Sequence, residues 1–251
     1  MKKIIVIPAR LSSSRLPNKV LLDLKGKTIL QRVYEQCKKV SGANVFIATD
    51  SSKVKTSCLE YTQNVIMTSV EHKSGTDRIT EAVRELDYES IINVQGDEPF
   101  INPLLIEKLF KLLEDKKVKV ATVVERLLSS DELYDPNVVK VVKDLEDNAL
   151  YFSRSCIPYI RDKSQLLSDQ KKFFDSTRFY KHVGIYGYKK DFLTKYPTLV
   201  NSSLEDMEML EQLRILESGF KIKILDTKFK SLGIDTDDDY QKALKLIADD
   251  I

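Results

Sequence analysis

The chain has 251 residues, and 40 Lys and Arg against 38 Asp and Glu leave a formal net charge of +2 at pH 7. This near-neutral balance excludes a general nucleic-acid-binding surface. The three cysteines are scattered, with neither metal-ligand spacing nor the density of a disulfide scaffold, which predicts a cytoplasmic protein. The first apolar run is too short for a signal peptide, and no apolar segment is long enough to predict a membrane span.

The first half of the chain alternates strand patterns with helical patterns. Continuous apolar runs predict four strands, at 4–7, 45–50, 65–68 and 91–95. A helical period runs from Ile29 to Val40 with Thr28 as its N-cap, and Pro103 opens another helix. Such alternation predicts right-handed βαβ units and a mainly parallel sheet.

The second half has a different pattern. Two apolar runs, 138–142 and 149–153, flank a polar turn and predict a β-hairpin. A polar, aperiodic stretch at 163–179 predicts a mobile loop. Further elements are predicted as a strand at 182–188, a helix at 204–217 that ends before Gly219, a strand at 221–225 and a last helix from about Asp237. We expect one compact domain over residues 1–251, with a β-rich insertion.

Three cations flank one loop directly after the first predicted strand. Arg10 follows the strand, residues 12–14 are serines, and Arg15 and Lys19 come next. Ligands bind beyond the carboxyl ends of the strands in open α/β sheets, and hydroxyl, N–H and cationic groups suit a polyphosphate. The alternative is an ordinary solvated surface loop.

Two carboxylates are candidates for a magnesium site. Asp97 follows the fourth predicted strand, and Asp235 follows a short apolar stretch near the C-terminus. Mg²⁺ is usually held by one or two carboxylates together with phosphate oxygens and water. The alternative role for each Asp is to cap a helix, although Thr236 or Asp237 fits the last helix better.

The remaining polar candidates are less specific when taken one by one. Residues 74–78 read Ser-Gly-Thr-Asp-Arg, which suits a nucleotide contact at a helix N-terminus and equally an ordinary helix start. For each of five further polar residues, taken alone, a structural role is the simpler interpretation: Arg154, His182, Tyr186, Glu211 and Gln212. No Gly-x-Gly-x-x-Gly follows the first strand and no Gly-Lys-Ser/Thr loop occurs, which disfavours dinucleotide dehydrogenases and P-loop NTPases.

Taken together and in order, these segments resemble the 3-deoxy-manno-octulosonate (Kdo) cytidylyltransferases. The shared runs include Ile-Pro-Ala-Arg at 7–10, Asn-Val-Gln-Gly-Asp-Glu-Pro at 93–99, Phe-Ser-Arg at 152–154, His-Val-Gly-Ile-Tyr-Gly-Tyr at 182–188, Leu-Glu-Gln-Leu-Arg at 210–214 and Gly-Ile-Asp-Thr at 233–236. The resemblance covers essentially the whole chain. It implies the α/β class, as a Rossmann-like nucleotidyltransferase fold with a mainly parallel mixed sheet flanked by helices and a β-rich insertion.

The resemblance also implies a reaction and a set of site residues. The anomeric hydroxyl of Kdo would attack the α-phosphorus of CTP, giving CMP-Kdo for lipopolysaccharide biosynthesis and pyrophosphate. The implied catalytic residues are Arg10, Lys19, Asp97 and Asp235, with Mg²⁺ on the two aspartates. The implied nucleotide contacts are Ala9, Arg10, Arg15, Lys19, Ser74, Gly75 and Arg78. The implied Kdo contacts are Gln95, Arg154, His182, Tyr186, Glu211 and Gln212. A homodimer is implied, with a nucleotide-binding half over about 1–120 and a sugar-binding, dimer-forming half over about 121–251.

One departure and two alternatives remain at this point. Asn18 stands where the family usually has Gly, and we expect the turn to survive because Asn tolerates a positive φ. The first alternative is a cytidylyltransferase for a related sugar acid such as 8-amino-Kdo. The second is a non-catalytic protein that binds or is regulated by a nucleotide sugar. It is disfavoured by the joint presence of Arg10, Lys19, Asp97 and Asp235, because binding alone does not require both carboxylates.

Overall fold

The computed structural model describes residues 2–11, 15–72, 74–230 and 232–249. The chain divides into two compact units. Unit 1 comprises Met1–Lys111, Gly187–Pro197 and Ser231–Ile251, and unit 2 comprises Leu112–Tyr186 and Thr198–Lys230. The sequence analysis expected one domain with two halves that meet near residue 120, and it did not predict the return of two later segments to unit 1. That both units form one domain stays a prediction.

The helices and strands follow one another along the described chain with short connections. In order they are β1 (Lys3–Ala9), a 3-10 turn (Lys19–Leu21), α1 (Ile29–Lys38), β2 (Ala43–Thr49), α2 (Ser52–Cys58), β3 (Val65–Met67), α3 (Gly75–Ala82), β4 (Ser90–Asn93), α4 (Pro103–Leu112), β5 (Val120–Arg126), α5 (Ser130–Tyr134), β6 (Lys140–Lys143), β7 (Ala149–Ser153), α6 (Ser164–Ser168), α7 (Gln170–Ser176), β8 (Tyr180–Lys189), α8 (Lys190–Leu193), a second 3-10 turn (Tyr196–Thr198), α9 (Ser203–Glu208), α10 (Gln212–Glu217), β9 (Ile222–Thr227) and α11 (Asp237–Asp249).

Unit 1 contains the parallel strands that the alternating pattern predicted. Their order is β3-β2-β1-β4, and β1 pairs in parallel with both β2 and β4. In the middle strand, Ile5, Val6 and Ile7 are fully buried, as expected for a strand covered on both faces. Because the strands are parallel, their carboxyl ends lie at one edge, and the residues after Ala9, Thr49 and Asn93 are brought to that edge.

Unit 2 is built around three neighbouring strands in the order β8-β5-β9 and the predicted hairpin. Strands β5 and β9 are parallel, and β6 pairs antiparallel with both β7 and β8. The hairpin turn has Asp147 in the left-handed region at φ 57°. The β-rich insertion predicted from the sequence is therefore the hairpin of unit 2.

Two predictions about the second half are wrong. The stretch 163–179, predicted as a mobile loop, contains α6 and α7, whose apolar side chains lie in a buried cluster with Phe179. The predicted helix at 204–217 is two short helices, because Met209 adopts the left-handed conformation at φ 53°. The described residues include no helix with both the length and the apolar character needed to cross a membrane.

Candidate active site

The loop after β1 brings Lys19 back to the strand edge. Ala9 is buried at the end of β1, and Arg10, which follows it, is partly buried. Asn18 has φ 56° and starts the 3-10 turn, and its N–H donates to the carbonyl of Leu11 at 3.3 Å. The expected tolerance of Asn for this turn is confirmed. The serines at 12–14 lie outside the described residues.

A small apolar cluster holds this loop against the C-terminal segment of unit 1. Its buried members are Leu24, Ile29, Ile234, Ala243 and Ile247, and partly buried Leu16 and Leu22 pack against them. The cluster joins residues on both sides of Lys19 to the residue directly before Asp235. Burial of apolar side chains, which is the main stabilising term in folding, therefore fixes where Lys19 and Asp235 lie.

The two aspartates are brought together by backbone contacts. Ile234 donates its N–H to the carbonyl of Asp97 at 2.9 Å. Gly96 lies so close to β1 that a Cβ there would be 2.9 Å from the carbonyl oxygen of Pro8. A side chain at position 96 would force the turn away from the strand end, so Gly permits the close approach that places Asp97 at this edge.

Four charged side chains form one cluster at the strand edge. The Lys19 ammonium donates to Asp97 Oδ2, and to Asp235 Oδ1 at 2.6 Å, while Arg15 Nη2 lies 3.2 Å from Asp235 Oδ2. Burial opposes the charge on Lys19, but Asp97 and Asp235 outweigh it and raise the pKa of Lys19 above its ordinary value. Two cations and two carboxylates balance here, so the cluster is neutral overall in the protein alone.

The donor set of this cluster fits a magnesium ion. Asp97 and Asp235 offer hard carboxylate oxygens, and both reach a single ammonium group, which shows that they converge. No group of three or more His, Cys, Asp or Glu side chains that could hold a metal occurs in the part of the chain that the structure describes. Two carboxylates completed by phosphate oxygens and water are a usual arrangement for Mg²⁺.

The segment 74–78 starts α3, as predicted by its interpretation as an ordinary helix start. Ser74 is the N-cap: its hydroxyl accepts from the N–H of Asp77 at 3.0 Å and donates to Asp77 Oδ2 at 2.8 Å. A Cβ at Gly75 would lie 3.8 Å from Gln95 Nε2, so the Gln95 side chain, predicted on the sugar side, is beside the predicted nucleotide residue Gly75. Direct contacts of Ser74 and Gly75 with a nucleotide stay predictions.

Arg78 has a structural environment that the sequence did not reveal. Its side chain is fully buried and donates to Thr68 Oγ1 and to Asp50 Oδ2, which follow β3 and β2. A charge-assisted pair of this kind is strong because both groups are shielded from water. Arg78 therefore ties α3 to two strand ends, and a direct nucleotide contact by its side chain stays a prediction.

In unit 2, Arg154 is held by main-chain and carboxylate groups. Its Nε donates to the carbonyl of Glu208 at 2.8 Å and its Nη1 to that of Pro136 at 3.1 Å. The Glu208 carboxylate accepts from the N–H of Arg154 at 2.9 Å and from Ser153 Oγ at 2.6 Å. The guanidinium is thus fixed in direction before any ligand binds, and Glu208 is a supporting residue that sequence reasoning missed.

Lys140 is a second supporting residue that was missed. It is fully buried, and its ammonium donates to three carbonyls, those of Asp135, Val138 and Arg154, at 2.6–2.7 Å. Burial lowers the pKa of Lys140. A lysine is typically solvated, so nothing local in the sequence indicated this role.

The other predicted sugar residues lie on β8 and at the start of α10. His182 is partly buried, and its ring contacts the rings of Phe152 and Tyr186 at centroid distances of 5.2 and 5.1 Å. Glu211 is the N-cap of α10, and Gln212 is buried with no hydrogen-bond partner for Nε2 among the described residues. Helix α10 packs against β7, the strand that ends one residue before Arg154.

The arrangement in unit 1 defines a class of protein. Parallel strands that end in a cationic loop, with two converging carboxylates, are the features of a nucleotidyltransferase. Residues 4–224 match the family model described as cytidylyltransferase. A solved thymidylyltransferase from Bacillus anthracis, named putative, has the same fold at 15% identity and a TM-score of 0.69.

Relatives of higher sequence identity narrow the class from nucleotidyltransferases to one family. The chain is 42% identical over 250 residues to a 3-deoxy-manno-octulosonate cytidylyltransferase of Geobacter metallireducens, covering 99% of this chain and 98% of the relative. It is 43% identical to one of Parabacteroides distasonis, covering 99% of each. A solved CMP:2-keto-3-deoxy-manno-octonic acid synthetase complexed with CTP is similar over 100% of both chains, with 39% identity and a TM-score of 0.90. The chain belongs to the family of 3-deoxy-manno-octulosonate cytidylyltransferases, and neither alternative from the sequence analysis is favoured.

Proposed function

We propose that this protein transfers CMP from CTP to Kdo, with release of pyrophosphate. The observation that carries the proposal is the convergence of Lys19, Asp97 and Asp235 at the carboxyl edge of the parallel strands. Its support from outside the structure is the 42–43% identity to the relatives named for this reaction over nearly the full chain.

The cations of unit 1 suit the charge that develops in this reaction. When the anomeric hydroxyl attacks the α-phosphorus, negative charge grows on the α-phosphate and on the departing pyrophosphate. Arg10, Arg15 and Lys19 are proposed to hold the triphosphate, and a cation fixed in place before the reaction stabilises such charge without reorganisation. Lys19 is already fixed by its two carboxylates, whereas Arg15 makes one exposed contact.

Asp97 and Asp235 are proposed to hold Mg²⁺. When bound, the metal would act as a Lewis acid and stabilise the negative charge that develops in the reaction. Lys19 already satisfies one oxygen of each carboxylate, so the ion and the ammonium would share the same pair of acidic residues. The pair then serves to orient Lys19 as well as to bind the ion.

Unit 2 supplies the groups that we propose for the sugar acid. Arg154 is the natural partner for the carboxylate of Kdo, because a planar guanidinium can hold both oxygens. Its Nε and Nη1 are already engaged by carbonyls, which fixes the plane of the group. His182, Tyr186, Glu211 and Gln212 are proposed as further sugar contacts. The buried Nε2 of Gln212 has no hydrogen-bond partner among the described residues and could donate to a sugar oxygen.

Three further properties belong to this proposal. A homodimer is proposed by family resemblance alone. A cytoplasmic location is supported by the three free cysteines at positions 37, 58 and 156. A place in lipopolysaccharide biosynthesis is supported by the product, since an activated sugar acid is consumed by a glycosyl-transfer reaction.

The direct test is pyrophosphate release with matched substrates. We expect release with CTP, Kdo and Mg²⁺ together and none when any of the three is omitted. ATP or GTP in place of CTP, and N-acetylneuraminate in place of Kdo, are the controls and are expected to give rates lower by at least about a hundredfold, the scale of pocket-based discrimination. Equal rates with ATP would remove the assignment as a cytidylyltransferase.

A further inference from the structure

A buried hydroxyl on β5 touches the predicted sugar residue His182. Thr122 is fully buried, and its Oγ1 lies 2.8 Å from the carbonyl oxygen of Ile185 and 2.9 Å from His182 Nε2. A carbonyl oxygen can only accept, so the single hydroxyl proton of Thr122 is donated to Ile185. The hydroxyl oxygen must then accept from Nε2, and His182 therefore carries its proton on Nε2.

The other ring nitrogen, Nδ1, makes no hydrogen bond within the described part of the chain and is therefore the one available to a ligand. Burial lowers the pKa of His182 to about 3, so the ring is neutral at pH 7 and has one N–H and one lone pair. With Nε2 protonated and bound to Thr122, Nδ1 has the lone pair and acts as an acceptor. A neutral acceptor attracts a hydroxyl donor and repels a carboxylate oxygen.

We propose that Thr122 is a positioning residue that fixes His182 in the Nε2–H tautomer, so that Nδ1 accepts a hydrogen bond from a hydroxyl of the sugar acid. This inference rests on the proposed function, in which His182 contacts the sugar. The two residues then recognise different groups of the sugar acid: the Arg154 guanidinium suits the carboxylate, and His182 suits a hydroxyl. Thr122 joins the site as a residue that makes no ligand contact of its own.

The tautomer can be read in the whole protein without any activity assay. The chain has only two histidines, His72 and His182, so a long-range ¹⁵N–¹H spectrum of labelled protein is simple, and His72→Gln assigns it. At pH 7 we expect a protonated Nε2 and an unprotonated Nδ1 for His182. Saturation with Kdo is expected to shift the Nδ1 resonance and to leave the Nε2 resonance nearly unchanged. These measurements use wild-type side chains at Thr122 and His182, so they stand even if a Thr122 variant fails to fold.

Variants at Thr122 test its effect on substrate binding. Thr122→Val keeps the branched shape but removes the hydroxyl, and Thr122→Ser keeps the hydroxyl. We expect Thr122→Val to raise the KM for Kdo by about tenfold, the scale of one hydrogen bond. The KM for CTP and kcat should change less than about threefold, and Thr122→Ser should restore the KM for Kdo. A purely structural role would lower the melting temperature without separating the two KM values.

The possible failures are distinguishable. A protein that forms CMP-Kdo while His182 carries its proton on Nδ1 contradicts this inference alone. The same holds if Kdo leaves the Nδ1 resonance unmoved, or if a folded Thr122→Val variant has an unchanged KM for Kdo. If the wild-type protein has the Nε2–H tautomer but forms no CMP-Kdo, the proposed function is contradicted. The proposed hydrogen bond from Kdo to His182 Nδ1 is then contradicted as well.

Discussion

Lys19 pairs with two carboxylates that come from distant parts of the chain. This double pairing determines how the loss of either carboxylate would affect the protein. The side chains of Lys19 and Asp97 are 14% and 22% exposed, so the pair is shielded more than an ordinary surface ion pair, while Asp235 at 47% is more open. A carboxylate lost from the cluster leaves Lys19 with its other partner. The protein therefore keeps a paired ammonium after either single substitution.

At this site we predict a large loss of turnover with a small loss of stability. Asp97→Asn and Asp235→Asn should each lower kcat with saturating CTP and Kdo by at least about a hundredfold, the scale of one well-placed electrostatic group. The free energy of unfolding should fall by no more than about 1 kcal/mol, since partly exposed pairs contribute little. Initial rates at varied Mg²⁺ measure kcat and its Mg²⁺ dependence, and urea denaturation measures the free energy of unfolding.

The matched control is an acidic residue close to Asp235 in sequence. Asp238 lies in the first turn of α11 and is exposed, so Asp238→Asn removes one carboxylate of the same charge without touching the cluster. It should retain wild-type kcat and Mg²⁺ dependence. If Asp235→Asn behaved like Asp238→Asn, Asp235 would not belong to the site.

Side-chain roles that depend on neighbours in sequence could be predicted, and roles that depend on tertiary contacts could not. The N-cap role of Thr28, which accepts from the N–H of Gln31, and the turn at Asn18 follow from local backbone chemistry. The partners of Arg78 and His182 come from other strands, so no spacing in the sequence indicates Asp50 or Thr122. Most of the proposed site residues come from the family resemblance rather than from a local pattern.

Among the elements, α6 and α7 differ most from the prediction. They have five and seven residues, too few for a helical period to stand out in a polar stretch. Tertiary contacts hold these two helices in place. Phe173, Phe174 and Phe179 pack their rings together. The Arg126 guanidinium donates hydrogen bonds to three carbonyls at the end of α7, those of Phe174, Asp175 and Thr177. A cation at a helix C-terminus satisfies carbonyls that have no partner within the helix.

This packing predicts a stability effect in a segment that reads as a loop. Phe174 is 1% exposed, and Phe174→Ala should lower the free energy of unfolding by about 3–5 kcal/mol through lost burial and the cavity left behind. Leu167→Ala, in α6 but 81% exposed, is the control and should change it by less than about 0.5 kcal/mol. Urea denaturation distinguishes packed helices from a mobile loop, because in a mobile loop both substitutions would change the free energy of unfolding equally little.

At the scale of the whole molecule, the predicted parallel strands are present in unit 1, because short apolar runs alternating with helical patterns are typical of parallel strands covered on both faces. The return of Ser231–Ile251 to that unit was not predicted, because it depends on packing of Ile234 and Ala243 against Leu24 and Ile29. This return is what brings Asp235 to Asp97. The pairing of these two carboxylates, which we propose as the metal site, is thus a product of chain topology and not of any one motif.

In the proposed reaction, the anomeric oxygen of Kdo forms the new bond to the α-phosphorus of CTP. Kdo equilibrated in H₂¹⁸O carries the label at that oxygen, and the reaction is then run in ordinary water with CTP, Mg²⁺ and the protein. By ³¹P NMR, we predict an ¹⁸O isotope shift on the single phosphorus of CMP-Kdo and none on pyrophosphate. Label on pyrophosphate, or CMP formed from CTP with no labelled sugar ester, would show that the new bond is not made by this oxygen.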